Sequence, residues 1–76
     1  MLKLDQVKAD SPVRIHSMAE SPLNTRLLEM GLHEGQLVKI LYRAPFGDPL
    51  AIDLGEYVLS LRKDEAELIA VTLEEE

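Results

Sequence analysis

The chain contains no cysteine. That single absence excludes disulfides, thiolate metal sites and thiol catalysis together. There is no tryptophan, and the aromatic residues are Tyr42, Phe46 and Tyr57 alone. Three dispersed rings are too few for a groove that reads proline-rich peptides, which needs several exposed aromatics in a row. Positive charge is scarce: 8 Lys and Arg against 14 Asp and Glu give a net charge of −6. The basic residues are scattered, so nucleic-acid binding is not expected. No apolar run approaches the ~20 residues that span a bilayer. Residues 1–10 carry Lys3, Asp5, Lys8 and Asp10 and so have no signal-peptide core. These absences predict a cytoplasmic protein.

What remains is a chain of 76 residues, of which 46% are hydrophobic. That content suits a globular chain and is too high for disorder. One domain over residues 1–76 is expected, with a core of Leu, Ile and Val and a solvated, fraying acidic tail at 74–76. Turn residues cut the chain into short pieces. Between them the period is mostly two. Val13, Ile15 and Ser17 alternate with Arg14, His16 and Met18. Val38, Ile40 and Tyr42 form a second set, and Leu50, Ile52 and Leu54 a third. Residues 57–61 and 68–73 complete five short strands, which read as a small antiparallel barrel or sandwich. Gly55 suits a tight hairpin between the third strand and the fourth. Tyr42 and Tyr57 read as half-buried strand residues.

Residues 21–31 break the pattern. Leu23, Leu27 and Met30 are four and three apart, which is helical spacing. Ser21 is placed to cap, Pro22 suits the first helical position, and Gly31 suits the left-handed residue after the end. Two turns of helix hold only if packed on the sheet, so Leu27 and Met30 are expected to face the core. A further helical turn is expected over residues 62–66.

No catalytic arrangement stands out. Ser17 or Ser60 could meet His16 or His33, but nothing in the spacing asks for it, and so small a barrel has little room for a substrate pocket. No phosphate-binding glycine loop is present either. The chain is therefore not expected to be an enzyme. His16, His33 and Glu34 are weak metal candidates without the tight spacings of a zinc site. The carboxylates would hold Fe2+ or another divalent cation only weakly and unselectively. No dedicated cofactor is expected.

The most unusual stretch is Arg43-Ala44-Pro45-Phe46-Gly47-Asp48-Pro49. Its two prolines stiffen a loop longer than a hairpin needs. A large apolar residue there, Phe46, either packs back on the sheet, the preferred reading, or meets a partner. Arg26 or Arg62 is expected to pair with Asp48 or Asp64 at the surface.

These residues resemble the FeoA family. The resemblance rests on Arg26-Leu27-Leu28-Glu29-Met30-Gly31-Leu32 and Gly35, on residues 43–50, and on Leu59-Ser60-Leu61-Arg62-Lys63-Asp64-Glu65-Ala66. It extends over nearly the whole chain, roughly residues 4–71. It implies an SH3-like small β-barrel of about five strands with a short α-helix after the first strand. It implies a small cytosolic accessory of bacterial ferrous iron uptake, docking on the membrane transporter FeoB, which carries a cytosolic G-protein domain. The implied docking face comprises Leu23, Arg26, Leu27, Met30 and Gly31, the loop residues Pro45, Phe46, Gly47, Asp48 and Pro49, and Arg62. The same domain type also occurs in metal-dependent repressors related to the diphtheria toxin repressor, so the alternative is a metal-binding or metal-sensing protein. Seventy-six residues leave no room for a repressor's DNA-binding helices. The family pattern often has glycine in the turn before the first strand, where this chain has Asp10-Ser11-Pro12. Small barrels also leave sheet edges, which permit a homodimer.

Overall fold

A computed structural model describes residues 2–22 and 24–74. The elements run β1 (Leu2–Lys3), a 3-10 turn (Leu4–Gln6), β2 (Pro12–Met18), α1 (Asn24–Glu29), β3 (Leu37–Arg43), β4 (Leu50–Asp53), β5 (Val58–Leu61), α2 (Lys63–Ala66) and β6 (Ile69–Leu73). The fold is mainly β, as expected, with one antiparallel sheet in the order β1-β6-β2-β3-β4-β5. There are six strands rather than five, because Leu2–Lys3 pairs with β6. The helix therefore follows the second strand. Hydrogen bonding does not close the sheet, and β1 and β5 are its free ends.

The core lies inside the curl of this sheet. Val13, Ile15, Val38, Ile40, Leu50, Ile52, Leu61, Ile69 and Val71 supply it from the strands, and Leu4, Leu27, Leu32 and Ala66 close its ends. The two-residue alternation fails in two places, and each failure is a β-bulge. One extra residue on a strand reverses the facing of every residue after it. In β2 the register slips between Ile15 and Ser17, so Ser17 leaves the inner face and Met18 packs against the core. In β3 it slips between Ile40 and Tyr42. Tyr42 therefore stands on the outer face beside Ala51, 64% exposed, and is not half-buried as its spacing predicts.

The turns follow local chemistry. Asp10 takes a left-handed φ of 67°, which aspartate tolerates better than most residues. It thus does the work of the glycine often found there. Gly55, at φ 97°, opens the β4–β5 turn as expected. The acidic tail departs from expectation. Glu74 N–H donates to the Pro12 carbonyl (3.1 Å), and its carboxylate pairs with Arg14 at 2.9 Å. Hydrogen bonds from the Arg14 guanidinium, helped by its charge, hold the Glu74 carboxyl below the usual glutamate range. Glu75 and Glu76 lie outside the described residues.

Candidate functional site

Helix α1 is short and would not persist alone. Its end is fixed by a two-bond motif around Gly31, whose φ is 96°. Leu32 N–H donates to the Leu27 carbonyl (3.1 Å), and Gly31 N–H donates to the Leu28 carbonyl (3.0 Å). Leu27 and Leu32 are both fully buried beneath it, the apolar contact that accompanies this cap. Tyr57 Oη donates to the Met30 carbonyl at 2.7 Å, tying the same helix end to the β4–β5 turn. Tyr57 thus precedes β5 rather than sitting in it, and is 48% exposed.

The 44–49 loop is anchored at both ends. Ala44 N–H donates to the Pro49 carbonyl (3.0 Å), and Gly47 N–H to the Ala44 carbonyl (2.7 Å). Below it, Arg43 donates to the carbonyls of Asp5 (2.8 Å) and Val7. The Asp48-Pro49 peptide bond is cis. Phe46 crowns the loop at 99% exposure and touches nothing inward. The expectation that it packs back on the sheet fails, because the tethers and Gly47, at φ 83°, hold the loop tip away from the core.

Between α1, this loop and α2 lies an open cleft of about 470 Å³ lined by Arg26, Asp48, Pro49, Ser60, Arg62 and Glu65. Asp48 Oδ1 accepts from Lys63 N–H (3.1 Å), so the loop caps the first turn of α2. Glu65 Oε1 accepts from Arg62 N–H (2.9 Å), reaching back over the same turn. Its other oxygen, Oε2, lies 3.2 Å from Arg26 Nη1 but off the hydrogen-bonding direction, and no donor is aligned on it. Glu65 is 1% exposed, and among the described residues Arg26 is the one cationic side chain within ion-pair distance of it. Arg26 was expected to meet Asp48 or Asp64; it meets Glu65 instead, because α2 turns that side chain inward.

Removing one partner from such a pair leaves a buried carboxylate uncompensated. Since Arg26 is half exposed, Arg26→Ala should lower unfolding stability by about 1–2 kcal/mol, between the surface and buried extremes. Glu65→Gln added to Arg26→Ala should recover part of the loss in urea denaturation. A double variant no more stable than the Arg26→Ala single variant would show that the pair carries no such weight.

Of the residues implied by the resemblance, the cleft gathers Arg26, Asp48, Pro49 and Arg62. Pro45 and Phe46 are exposed on the loop above, with Gly47 in its bend. Leu27 is buried in the core, so it meets no partner directly and acts only by holding the helix. Met30 is half-buried against the same core, and Gly31 lies under the Tyr57 hydroxyl. Leu23 lies outside the described residues. Ser60 and Glu65 were not anticipated. An acidic residue three places after the start of a helical turn signals the back-reaching cap of Glu65, but nothing in the sequence signals its burial.

Among the described residues no three His, Asp or Glu groups gather to hold an ion. His33 and Glu34 share a separate cleft of about 290 Å³ with Met18, Asn24 and Leu28. His33 Nδ1 is 3.1 Å from the Glu34 carbonyl, a donor's position in the tautomer that carries the proton there. His16 is exposed beside Ser17.

Residues 2–73 match the model of the FeoA domain. No curated protein matches the chain. Among solved structures, the FeoA-like protein of Clostridium acetobutylicum is 38% identical, with a TM-score of 0.89 over 100% of this chain and 93% of that one. FeoA of Chlorobium tepidum is 36% identical, with a TM-score of 0.85 over 95% of this chain and 70% of that one. Iron(II) transport protein A of Clostridium thermocellum is 34% identical, with a TM-score of 0.88 over 95% of this chain. This chain spans 45% of that protein's length. The fold is also that of Stenotrophomonas maltophilia FeoA, described as an SH3 domain protein, at 23% identity and a TM-score of 0.82 over 95% of this chain and 91% of that one. The short helix between strands, the six-stranded SH3-like sheet and a family match over nearly the whole sequence agree, and the chain belongs to the FeoA family, linked to ferrous iron transport.

Proposed function

We propose that this chain is a non-enzymatic accessory of ferrous iron uptake that docks on the cytosolic part of a FeoB-type transporter through the 44–49 loop and the adjoining face of α1. The observation that carries the reading is Phe46. A phenylalanine 99% exposed on a tethered, proline-stiffened loop contributes nothing to the fold, and little entropy is lost when such a side chain enters a partner's pocket. Arg26 and Arg62 beside it supply the charged rim that orients a complex. A partner with a cytosolic domain requires the chain in the cytoplasm. Among the described residues no helix is long and apolar enough to cross a membrane, which is compatible with reaching the membrane only through that partner.

Phe46→Ala should leave thermal stability unchanged within about 0.5 kcal/mol, the range of exposed substitutions. It should weaken binding to the transporter's soluble G-protein domain at least tenfold, the loss of a central aromatic anchor of ~1.4 kcal/mol or more. Isothermal titration measures the affinity, and amide NMR shifts map the surface. Wild-type affinity in the Phe46→Ala variant, or shifts that avoid the loop and α1, would sink this surface.

A further inference from the structure

The two free ends of the sheet are protected unequally. At one end β1 has two residues, one of them Lys3, which blunts it against pairing. At the other end, β5 offers Val58-Leu59-Ser60-Leu61, four residues without charge, proline or bulge. Among the described residues β4 is the only element in extensive contact with it. Val58 is 58% exposed on the outer face, and Ser60 is exposed on the same face. Such an edge is a template for another strand.

Charge at its two ends says what fits. Glu56 precedes the strand and Arg62 follows it, both exposed, and neither side chain has a partner among the described residues. We propose that two copies of this chain pair antiparallel through β5 about a two-fold axis centred on Leu59. The pleat restricts the register. An axis perpendicular to the sheet keeps every side chain on its own face, so outward Val58 and Ser60 must oppose outward residues. The strand must therefore be centred on a residue rather than between two. Centring on Ser60 sets apolar Val58 against Arg62 of the second copy and leaves Glu56 opposite α2, with no strand residue to pair. Centring on Leu59 sets Val58 against Ser60 and Glu56 against Arg62 of the second copy, and the symmetry repeats both pairings. Leu59 then meets its own counterpart on the inner face, where it already packs against the core.

The contact is short, and each copy carries −6. Association is therefore weak, with Kd on the order of 100 μM, as for interfaces well below ~1,200 Å². The pairing goes beyond the docking reading and does not depend on it: it shares Ser60 and Arg62 with the cleft, but Glu56 and the β5 edge lie outside that surface and Phe46 takes no part.

Sedimentation equilibrium of the full chain from about 10 μM to about 1 mM, a range that brackets such an affinity, tests it. The mean mass should climb from one chain toward two. Glu56→Arg and Arg62→Glu should each weaken association about tenfold, two pairings being turned to repulsion at once. The double variant Glu56→Arg/Arg62→Glu should restore it, and amide spectra serve as the control for folding. Isotope-filtered NOEs between Leu59 and its counterpart should appear in a mixed-label sample. A monomer throughout the range, single reversals without effect, or a double variant that stays monomeric would each overturn the proposal. None of these results would touch the Phe46 test.

Discussion

Leu27→Ala should lower unfolding stability by about 2–5 kcal/mol, the range for truncating a fully buried leucine. Leu27 is the buried residue of α1, a six-residue helix. A helix that short has no stability of its own, so packing on the sheet supplies what holds it. The lost methyl groups leave a cavity against Leu32 and the strands, and the backbone cap from Leu32 N–H to the Leu27 carbonyl loses the apolar contact beneath it. A chain of this length has a total stability of roughly 4–11 kcal/mol, so the loss is a large share of the whole. The melting temperature should fall by roughly 10–40 °C, taking ~4–8 °C for each kcal/mol. The neighbouring Leu28→Ala is the control. Leu28 is exposed, and its truncation should stay within about 0.5 kcal/mol. Thermal and urea denaturation of both variants decide the matter; a Leu27→Ala protein that melts with the wild type would refute the anchoring role. Because Arg26 is carried by the same helix, partner binding should fall in Leu27→Ala although Leu27 is no contact residue.

That contrast between Leu27 and Phe46 shows what was legible in the sequence and what was not. Helical spacing placed Leu27 in the core and Gly31 marked the helix end, because these signals are local; the Ser21-Pro22 signal falls two residues early, forming a turn ahead of a helix that starts at Asn24. The strands were legible for the same reason, up to the first bulge. Past it, period-two reasoning assigned Met18 and Tyr42 to the wrong faces. A bulge is a tertiary accommodation of one extra residue, and neither His16 nor Leu41 carries a mark of it. The two-residue strand β1 was too short to show a period at all. In the site, Arg26, Asp48, Pro49 and Arg62 belong to the docking face that the resemblance implies, and the fold brings them to one cleft. The partner assignment failed, because whether Arg26 meets Asp48 or Glu65 depends on how α2 is turned, far along the chain from α1. Phe46 was misjudged for a related reason: sequence shows a stiff loop but not that Arg43 and Ala44 tether it outward.

Gly31→Ala should cost about 2–3 kcal/mol, and the cost should depend on Tyr57. Two effects combine. A φ of 96° belongs to the left-handed region, where a side chain costs about 1–2 kcal/mol. A β-carbon at Gly31 would also lie 2.1 Å from Tyr57 Oη, far inside contact distance. The hydroxyl must then retreat and give up its 2.7 Å bond to the Met30 carbonyl, a loss of about 1 kcal/mol. Tyr57→Phe separates the two effects. It removes the clashing oxygen and leaves the ring's nearest carbon at 3.4 Å from the new β-carbon, an ordinary contact. In that background Gly31→Ala should cost only the backbone strain. The double-variant cycle should therefore show a coupling of about 1 kcal/mol, with the two substitutions together less damaging than their sum. Urea denaturation of all four proteins measures it. Strict additivity would mean that Tyr57 swings clear without loss and that the hydroxyl bond does not hold the end of α1 to the β4–β5 turn. Coupling of the expected size would instead make Gly31 a packing requirement as well as a helix stop. A β-branched residue there should then be worse than alanine in both backgrounds, since it adds bulk where the backbone already resists any side chain.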